Sequence, residues 1–242
     1  MVKGLSIKFN GYEESIPKIL EIIKLDLELK KHERIVLKPS LASENPDDNT
    51  SVEFVEPVLK FCMEHKNPGT EIFIAEGCDG YDTMDKFGEL GYRKLAEKYG
   101  VGLIDLNKSE VEEIENEEFL GFGEIMYPKI LKDSFVISLP KLREDWSLGV
   151  SASLDNMLGA YPAKHYKGFF SLDKSKIKRF PVKHQIHDII KCKMPELAVI
   201  DASNKGVILA GQPLEMDKQA AKIYGFKSKE LPHLKLIEDS MD

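Results

Sequence analysis

The chain has 242 residues, a net charge of -7, 42% hydrophobic and 31% charged residues. That length allows a well-buried core, and the acidic balance argues against a general nucleic-acid binder, which carries a basic surplus. No apolar run approaches the roughly 18 residues a membrane helix needs. The opening MVKGLSIKFNGYEES lacks a signal-peptide core, so the expectation is a cytoplasmic protein with no membrane partner. Cys62, Cys78 and Cys192 are odd in number and far apart, with no CxxC, which argues against a disulfide framework or an all-cysteine metal site.

Leu5 to Phe9 reads as a first strand that turns at Asn10-Gly11. Ser15 is placed as a helix N-cap, with Pro17 tolerated in the first turn. Ile16, Ile19, Leu20, Ile23 and Leu27 then share one helical face, and the helix is expected to end near Lys31. RIVLK (34–38) is a short β-branched strand, and KPSLASENPDDNTS after it is a loop by its Pro, Ser, Asn and Asp content. Ser51 caps a second helix whose buried stripe is Val55, Val58, Leu59 and Cys62. EIFIAEG (71–77) is a strand ending at Glu76-Gly77, helical turns cover 83–99, and VGLIDL (101–106) is a strand closing on Asp105. The six glutamates between Glu110 and Glu118 read as a solvated acidic helix or loop.

The organising stretch is Ser134 to Pro162: a buried strand, a Pro140-Lys141 turn, a loop with the single tryptophan, a helix and a Gly-Ala-Tyr-Pro stop. Lys164 to Lys183 follows, with seven Lys/Arg against one acid, Asp173, and with Tyr166, Phe169, Phe170 and Phe180 interleaved. This piece is either a lid or rim over a ligand, at about 163–183, or an exposed loop with a few packed rings. HQIHDIIKCKM is a short helix, LAVIDA a strand and GVILAGQP its antiparallel hairpin partner. Pro213 opens a helix that Gly225 ends, and Ser228 to Ser240 forms a helical tail. Short apolar strands alternating with helices predict an α/β fold with a mixed, largely parallel open sheet flanked by helices, as one domain over 1–242.

Several strands end on a polar residue beside a turn former: Lys38-Pro39-Ser40, Glu76-Gly77, Asp105, Pro140-Lys141 and Asp201. In an open α/β sheet such ends gather on one edge, where ligands bind. Lysines and carboxylates there suit an anion, a divalent metal or acid–base work. His184 and His187, three apart on a helix, could reach one metal but lack an obvious third ligand, and Cys78 reads as a passive thiol rather than a nucleophile. The chain has no GxxxxGK[ST], GxGxxG after a strand, GxSxG or HExxH.

KPSLAS after RIVLK, AEG after EIFI, SFVISLPKL, SLDNMLGAYP and LAGQPLEMDKQAAKIYGFKSKELPHL occur in an order that resembles the DUF362 family of uncharacterised proteins. The resemblance runs over about residues 34 to 236. It implies functional positions at Lys38, Glu76, Lys141, Asn156, Asp201 and Asp217. Ser40 stands where the family usually has Asn, Arg143-Glu144-Asp145 replaces a Lys-x-His segment, Asp155 replaces a lysine, and Gln212 sits at a common Asp. The ferredoxin-like iron–sulfur segment of many members has no counterpart cysteines here, so a cofactor of that kind is disfavoured and the cofactor is unknown. The family is in turn distantly similar to the N-terminal part of nickel-pincer lactate racemase, but no cofactor-binding residue of that enzyme is placed in this chain.

Two main readings follow, with an RNA-contacting role through the basic-aromatic segment as a third behind them. The first is a cytoplasmic enzyme binding a small phosphate- or carboxylate-bearing substrate at the strand C-terminal edge. Lys141, Glu76 and Asp201 would be its catalytic residues, Lys38, Ser40, Asn156, Lys164 and His184 would bind substrate, and no metal site is assigned. The second is a non-catalytic accessory protein that binds a metabolite or metal. Whether the chain is an enzyme, and whether it forms a homo-oligomer, stay open at this stage.

Overall fold

Apolar residues at alternate strand positions and at helical spacing dictate the layers of this molecule. The computed structural model describes residues 4–41, 43–169 and 171–241, so Ala42 of the polar loop and Phe170 of the basic-aromatic segment lie outside the described residues. The chain starts with β1 (Gly4–Lys8), α1 (Tyr12–Ile22) and α2 (Leu25–Leu29), then β2 (Arg34–Pro39), α3 (Val52–His65) and β3 (Glu71–Glu76). Next come α4 (Thr83–Glu89), α5 (Tyr92–Tyr99), β4 (Gly102–Asp105), β5 (Val111–Glu115), β6 (Glu124–Pro128) and α6 (Lys129–Lys132). β7 (Phe135–Leu139), β8 (Arg143–Asp145), β9 (Gly149–Ser151), α7 (Ser153–Asn156) and α8 (Ala163–Tyr166) follow. The chain closes with α9 (Val182–Cys192), β10 (Leu197–Ala202), β11 (Val207–Gly211), α10 (Pro213–Ile223) and α11 (Pro232–Asp239).

Among the described residues, seven strands make the main sheet in the order β1-β11-β10-β7-β2-β3-β4. β10, β7, β2, β3 and β4 run parallel, while β11 pairs antiparallel with both β10 and β1. The sheet is therefore mixed and largely parallel, as the strand spacing predicts. From β2 the chain moves outward to β3 and β4, then returns to place β7 on the other side of β2. The β2–β7 boundary is thus where winding reverses, the position at which open sheets leave a crevice beyond their strand ends.

The two faces of the sheet bury separate cores. Ile35 and Leu37 of β2 pack on α1 and α3 through Ile16, Ile19, Val55 and Leu59. Val36 faces the opposite way, into a core shared with Met157, Ile186 and Met216. Lys38, two residues after Val36, carries the same side of the strand to its end. Among the described residues, no helix is long and apolar enough to cross a membrane.

Three local expectations are corrected. Ser15 is not the cap of α1: Gly11, at φ 95°, precedes the helix, and the Ser15 hydroxyl accepts the Asn10 N–H from within the first turn. Lys24 adopts a left-handed conformation, φ 60°, which breaks the helix, so Leu27 leaves the buried stripe and is 54% exposed. The centre of the glutamate run is not helix or loop but β5, paired antiparallel with β6, while Glu110, Glu117 and Glu118 lie outside the strand. Its alternation puts Glu113 and Glu115 in solvent and keeps Ile114 half-buried, a period-2 pattern masked by the dense charge.

Candidate functional site

Lys38, the penultimate residue of β2, has its side chain wholly buried, and a buried ammonium requires a counter-charge. Glu76, the last residue of β3, supplies it at 2.7 Å, with only 3% of its own side chain exposed. The Glu76 carboxylate also accepts the Gly77 N–H at 2.8 Å. Asn156, at the end of α7, completes the cluster. Its Oδ1 accepts from Lys38 Nζ at 3.1 Å, and its Nδ2 donates to the Lys38 carbonyl at 2.9 Å and to Ser138 Oγ at 3.0 Å. Lys38 and Ser138 are register partners on β2 and β7. Asn156 therefore bridges the two strands where the winding reverses.

α7 is held in that place by Asp217 of α10, whose two carboxylate oxygens accept the Ser153 and Leu154 N–H groups at 2.9 Å each. Burial drives the Asp217 pKa well above the usual carboxylate range. Gly159 then passes so close to the ion pair that a Cβ there would lie 2.2 Å from Glu76 Oε1 and 2.7 Å from Lys38 Nζ. A Cβ on Gly77 would lie 2.4 Å from the Gly159 carbonyl oxygen. Two glycines thus let two backbone segments close over a buried charge pair.

Lys174 enters from the basic-aromatic segment. Its side chain is buried, and Nζ donates to the Gly77 carbonyl at 2.7 Å and the Gly159 carbonyl at 3.1 Å. Burial lowers its pKa to about 8; nearby Glu76 and Asp79 oppose that fall and Lys38 adds to it. The loop carrying Lys174 is tied down by its own N–H to Asp79 Oδ1 at 2.7 Å and by the Lys178–Asp79 pair at 2.9 Å. Farther along, Phe180 packs on Phe122, which also meets Tyr161 and Tyr166.

These groups line a cleft of about 770 Å³ whose walls include Glu76, Asn156, Gly159 and Lys174. That volume suits a small-molecule ligand. Ser40 lies on one side, Asp173, Lys174, Ile177 and Lys178 form another, and the β8–β9 hairpin adds Arg143 and Trp146 at the mouth. Trp146 is 97% exposed. The Arg143 side chain makes no ion pair or hydrogen bond among the described residues, although its charge acts on Asp145 and Asp155, so its donors are open to the cleft. Nearby Asp155 accepts from Ser151 Oγ at 2.5 Å and from the Ala152 N–H at 2.6 Å. Burial raises its pKa. The cleft therefore combines a lysine whose pKa burial lowers to about 8 with a carboxyl group whose pKa burial raises.

The family model for DUF362, a domain of unknown function, matches residues 35–217. The chain belongs to the DUF362 family. Comparison with curated proteins finds no match. Among solved structures, the lactate racemase apoprotein from Thermoanaerobacterium thermosaccharolyticum is similar, with a TM-score of 0.58 and 12% sequence identity. The match covers 91% of this chain and 57% of that one, so the chain spans little more than half the length of its structural neighbour. At that identity the likeness concerns the fold, and it agrees with the α/β architecture described above.

Of the positions singled out in the sequence, Glu76, Ser40 and Asn156 line the cleft, and Lys38 lies sealed beneath it. Lys164 lies instead on a neighbouring pocket of about 410 Å³, with Lys167 and Asn107, and Tyr81 borders both cavities. Lys141, Asp201 and His184 are not brought to the cleft. The Lys141 ammonium donates to the Asp47 carbonyl on the polar loop. Asp201 is buried on β10, where it accepts the Tyr12 hydroxyl at 2.9 Å and the Ser203 N–H at 3.0 Å. His184 sits half-buried on α9, and its neighbour His187 pairs with Asp188 at 2.7 Å. Among the described residues, the acidic or metal-binding side chains close enough to share an ion are Glu113, Glu115 and Glu124, which are exposed on β5 and β6 and border neither cavity.

Sequence reasoning missed Lys174, Arg143 and Gly159 as site residues. Lys174 is one of seven cations in its segment, and nothing local marks it as the buried one. Arg143 was visible only as a departure from the family's Lys-x-His segment, although it keeps a positive charge there. Gly159 reads as a helix stop, and only the tertiary approach to Glu76 shows why a side chain is excluded.

Proposed function

We propose that this chain is an enzyme that binds a small carboxylate- or phosphate-bearing substrate in the cleft and moves a proton with Lys174. The observation that carries the reading is the placement of a buried lysine amine, held by two backbone carbonyls, on the wall of a ligand-sized cleft at the reversal point of the sheet. Arg143 supplies a planar pair of donors for the substrate's anionic group. Lys174 takes a proton as the neutral amine, and Asp155, whose pKa burial raises, is the second group that exchanges one. Lys38, Glu76 and Asn156 do not touch the substrate in this account; they fix the glycine backbones that hold Lys174. The same fold in a protein named lactate racemase makes 2-hydroxy acids reasonable members of a substrate panel, although fold alone assigns no reaction. Free cysteines at 62, 78 and 192 fit a cytoplasmic setting.

The test is solvent exchange. The full chain is incubated in D₂O with lactate, other small hydroxy and oxo acids, and phosphorylated analogues, and loss of the substrate C–H signal is followed by NMR. Saturable exchange abolished by Lys174→Met supports the reading, and the absence of exchange across the panel contradicts it. A second reading, a non-catalytic binder, is favoured by the near-complete burial of Lys174. Saturable binding that depends on Arg143 without any exchange would select it.

A further inference from the structure

We infer that Lys174 forms an imine with an α-oxo acid, the Arg143 guanidinium holding the carboxylate while the Lys174 amine attacks the neighbouring carbonyl carbon. This deepens the proposed reading and rests on it, because it takes the cleft to be a substrate site. Three features point to this substrate class. A neutral amine has two N–H bonds and one lone pair, and Lys174 Nζ has two acceptors, the Gly77 and Gly159 carbonyls. Both hydrogens are therefore satisfied in the uncharged state, the lone pair remains for a carbon electrophile, and the third hydrogen of the ammonium form would find no acceptor among the described residues. Burial favours that uncharged state, with the amine's pKa near 8.

Arg143 is the second feature. Its side chain lines the cleft with no hydrogen bond or ion pair among the described residues, beyond its electrostatic pull on Asp145 and Asp155, and its fork of donors suits a carboxylate attached to the reacting carbonyl. The third is the lack of a competing thiol: Cys78 is buried, its Sγ donates to the Leu41 carbonyl, and burial pushes its pKa up to about 12. The covalent step balances without any oxidant or reductant. The Nζ lone pair forms the C–N bond, the carbonyl π pair moves to oxygen, and the carbinolamine follows. The two amine hydrogens end on that oxygen, which departs as one molecule of water as the C=N bond closes.

The experiment treats the full natural-sequence chain with glyoxylate and sodium cyanoborohydride at pH 8, then maps modified lysines by peptide mass spectrometry over time. Lys164 and Lys167, exposed on the neighbouring pocket, act as internal references. The expected result is labelling of Lys174 at least about tenfold faster than either, saturating with glyoxylate and slowed about tenfold by Arg143→Ala. Labelling of Lys174 no faster than the two references overturns the inference. Trp146 fluorescence, read in parallel without reductant, separates the two claims. A saturable, Arg143-dependent response without Lys174 labelling removes the imine and leaves the anion site. No response and no selective labelling remove both.

Discussion

The Lys174 Nζ donates to the Gly77 carbonyl at 2.7 Å, across 97 positions of sequence. A residue of the basic-aromatic segment therefore closes directly on the end of β3, beside the Lys38–Glu76 pair. This contact turns a strand edge into a walled cleft, and the consequences below follow from it.

Breaking the buried pair exposes its energetics. Lys38→Met leaves the Glu76 carboxylate buried without its 2.7 Å partner, and the expected cost is about 3–5 kcal/mol. The double replacement Lys38→Met with Glu76→Leu removes both charges and should cost clearly less than the sum of the single changes. Urea denaturation of the four proteins measures this coupling, and simple additivity would contradict the pairing.

Gly159→Ala tests the close approach over that pair. The added carbon would stand 2.2 Å from Glu76 Oε1, so backbone and ion pair must separate at a cost of about 1–3 kcal/mol. Gly123→Ala is the control, since a Cβ there meets nothing within 4 Å. A thermal melt should show loss for the first variant and little change for the second.

Lys174 also links stability to pH. Its folded pKa is about 8, against about 10.4 for an unperturbed lysine. Between those values the unfolded chain keeps a proton that the folded chain has released, so the contribution of this group becomes more favourable as pH rises. Burial sets the direction, Glu76 and Asp79 oppose it, and Lys38 and the neutral Cys78 thiol are the other titratable neighbours. Relative to Lys174→Met, the natural chain should gain about 2 kcal/mol between pH 7 and pH 10. A flat or falling difference would show that the amine is not desolvated in the folded state.

Trp146 provides an optical probe, being the single tryptophan and lying fully exposed at the cleft mouth. A ligand seated on Arg143 should shift its emission to the blue and protect it from iodide quenching. Arg143→Ala should weaken that response by about 10- to 100-fold, the loss of a charge-assisted hydrogen-bond pair. An undiminished response would place the anion elsewhere.

The sheet was legible because short β-branched runs ending in Lys38, Glu76 and Asp105 alternate with amphipathic helices, and both periods survive in sequence. The glutamate run of β5 was not, because its charge density hides a period-2 pattern that pairing with β6 reveals. Part of the cleft lining was legible for the same reason: Glu76, Ser40 and Asn156 stand beside strand ends or a helix stop. Lys141 and Asp201 carry similar local signals, yet each finds a structural partner first, the Asp47 carbonyl for one and Tyr12 with Ser203 for the other. Lys174 depends on long-range packing of a segment whose local sequence reads as solvated, and no spacing rule reaches across that distance.

The most direct test of the account is the titration of the Lys174 amine itself, by competitive acetylation with isotope-coded reagent and peptide mass spectrometry from pH 6 to pH 11. The account predicts a midpoint near pH 8 for Lys174, against about 10.4 for an unperturbed lysine. A Lys174 midpoint near that unperturbed value would contradict it, and the acid–base role with it.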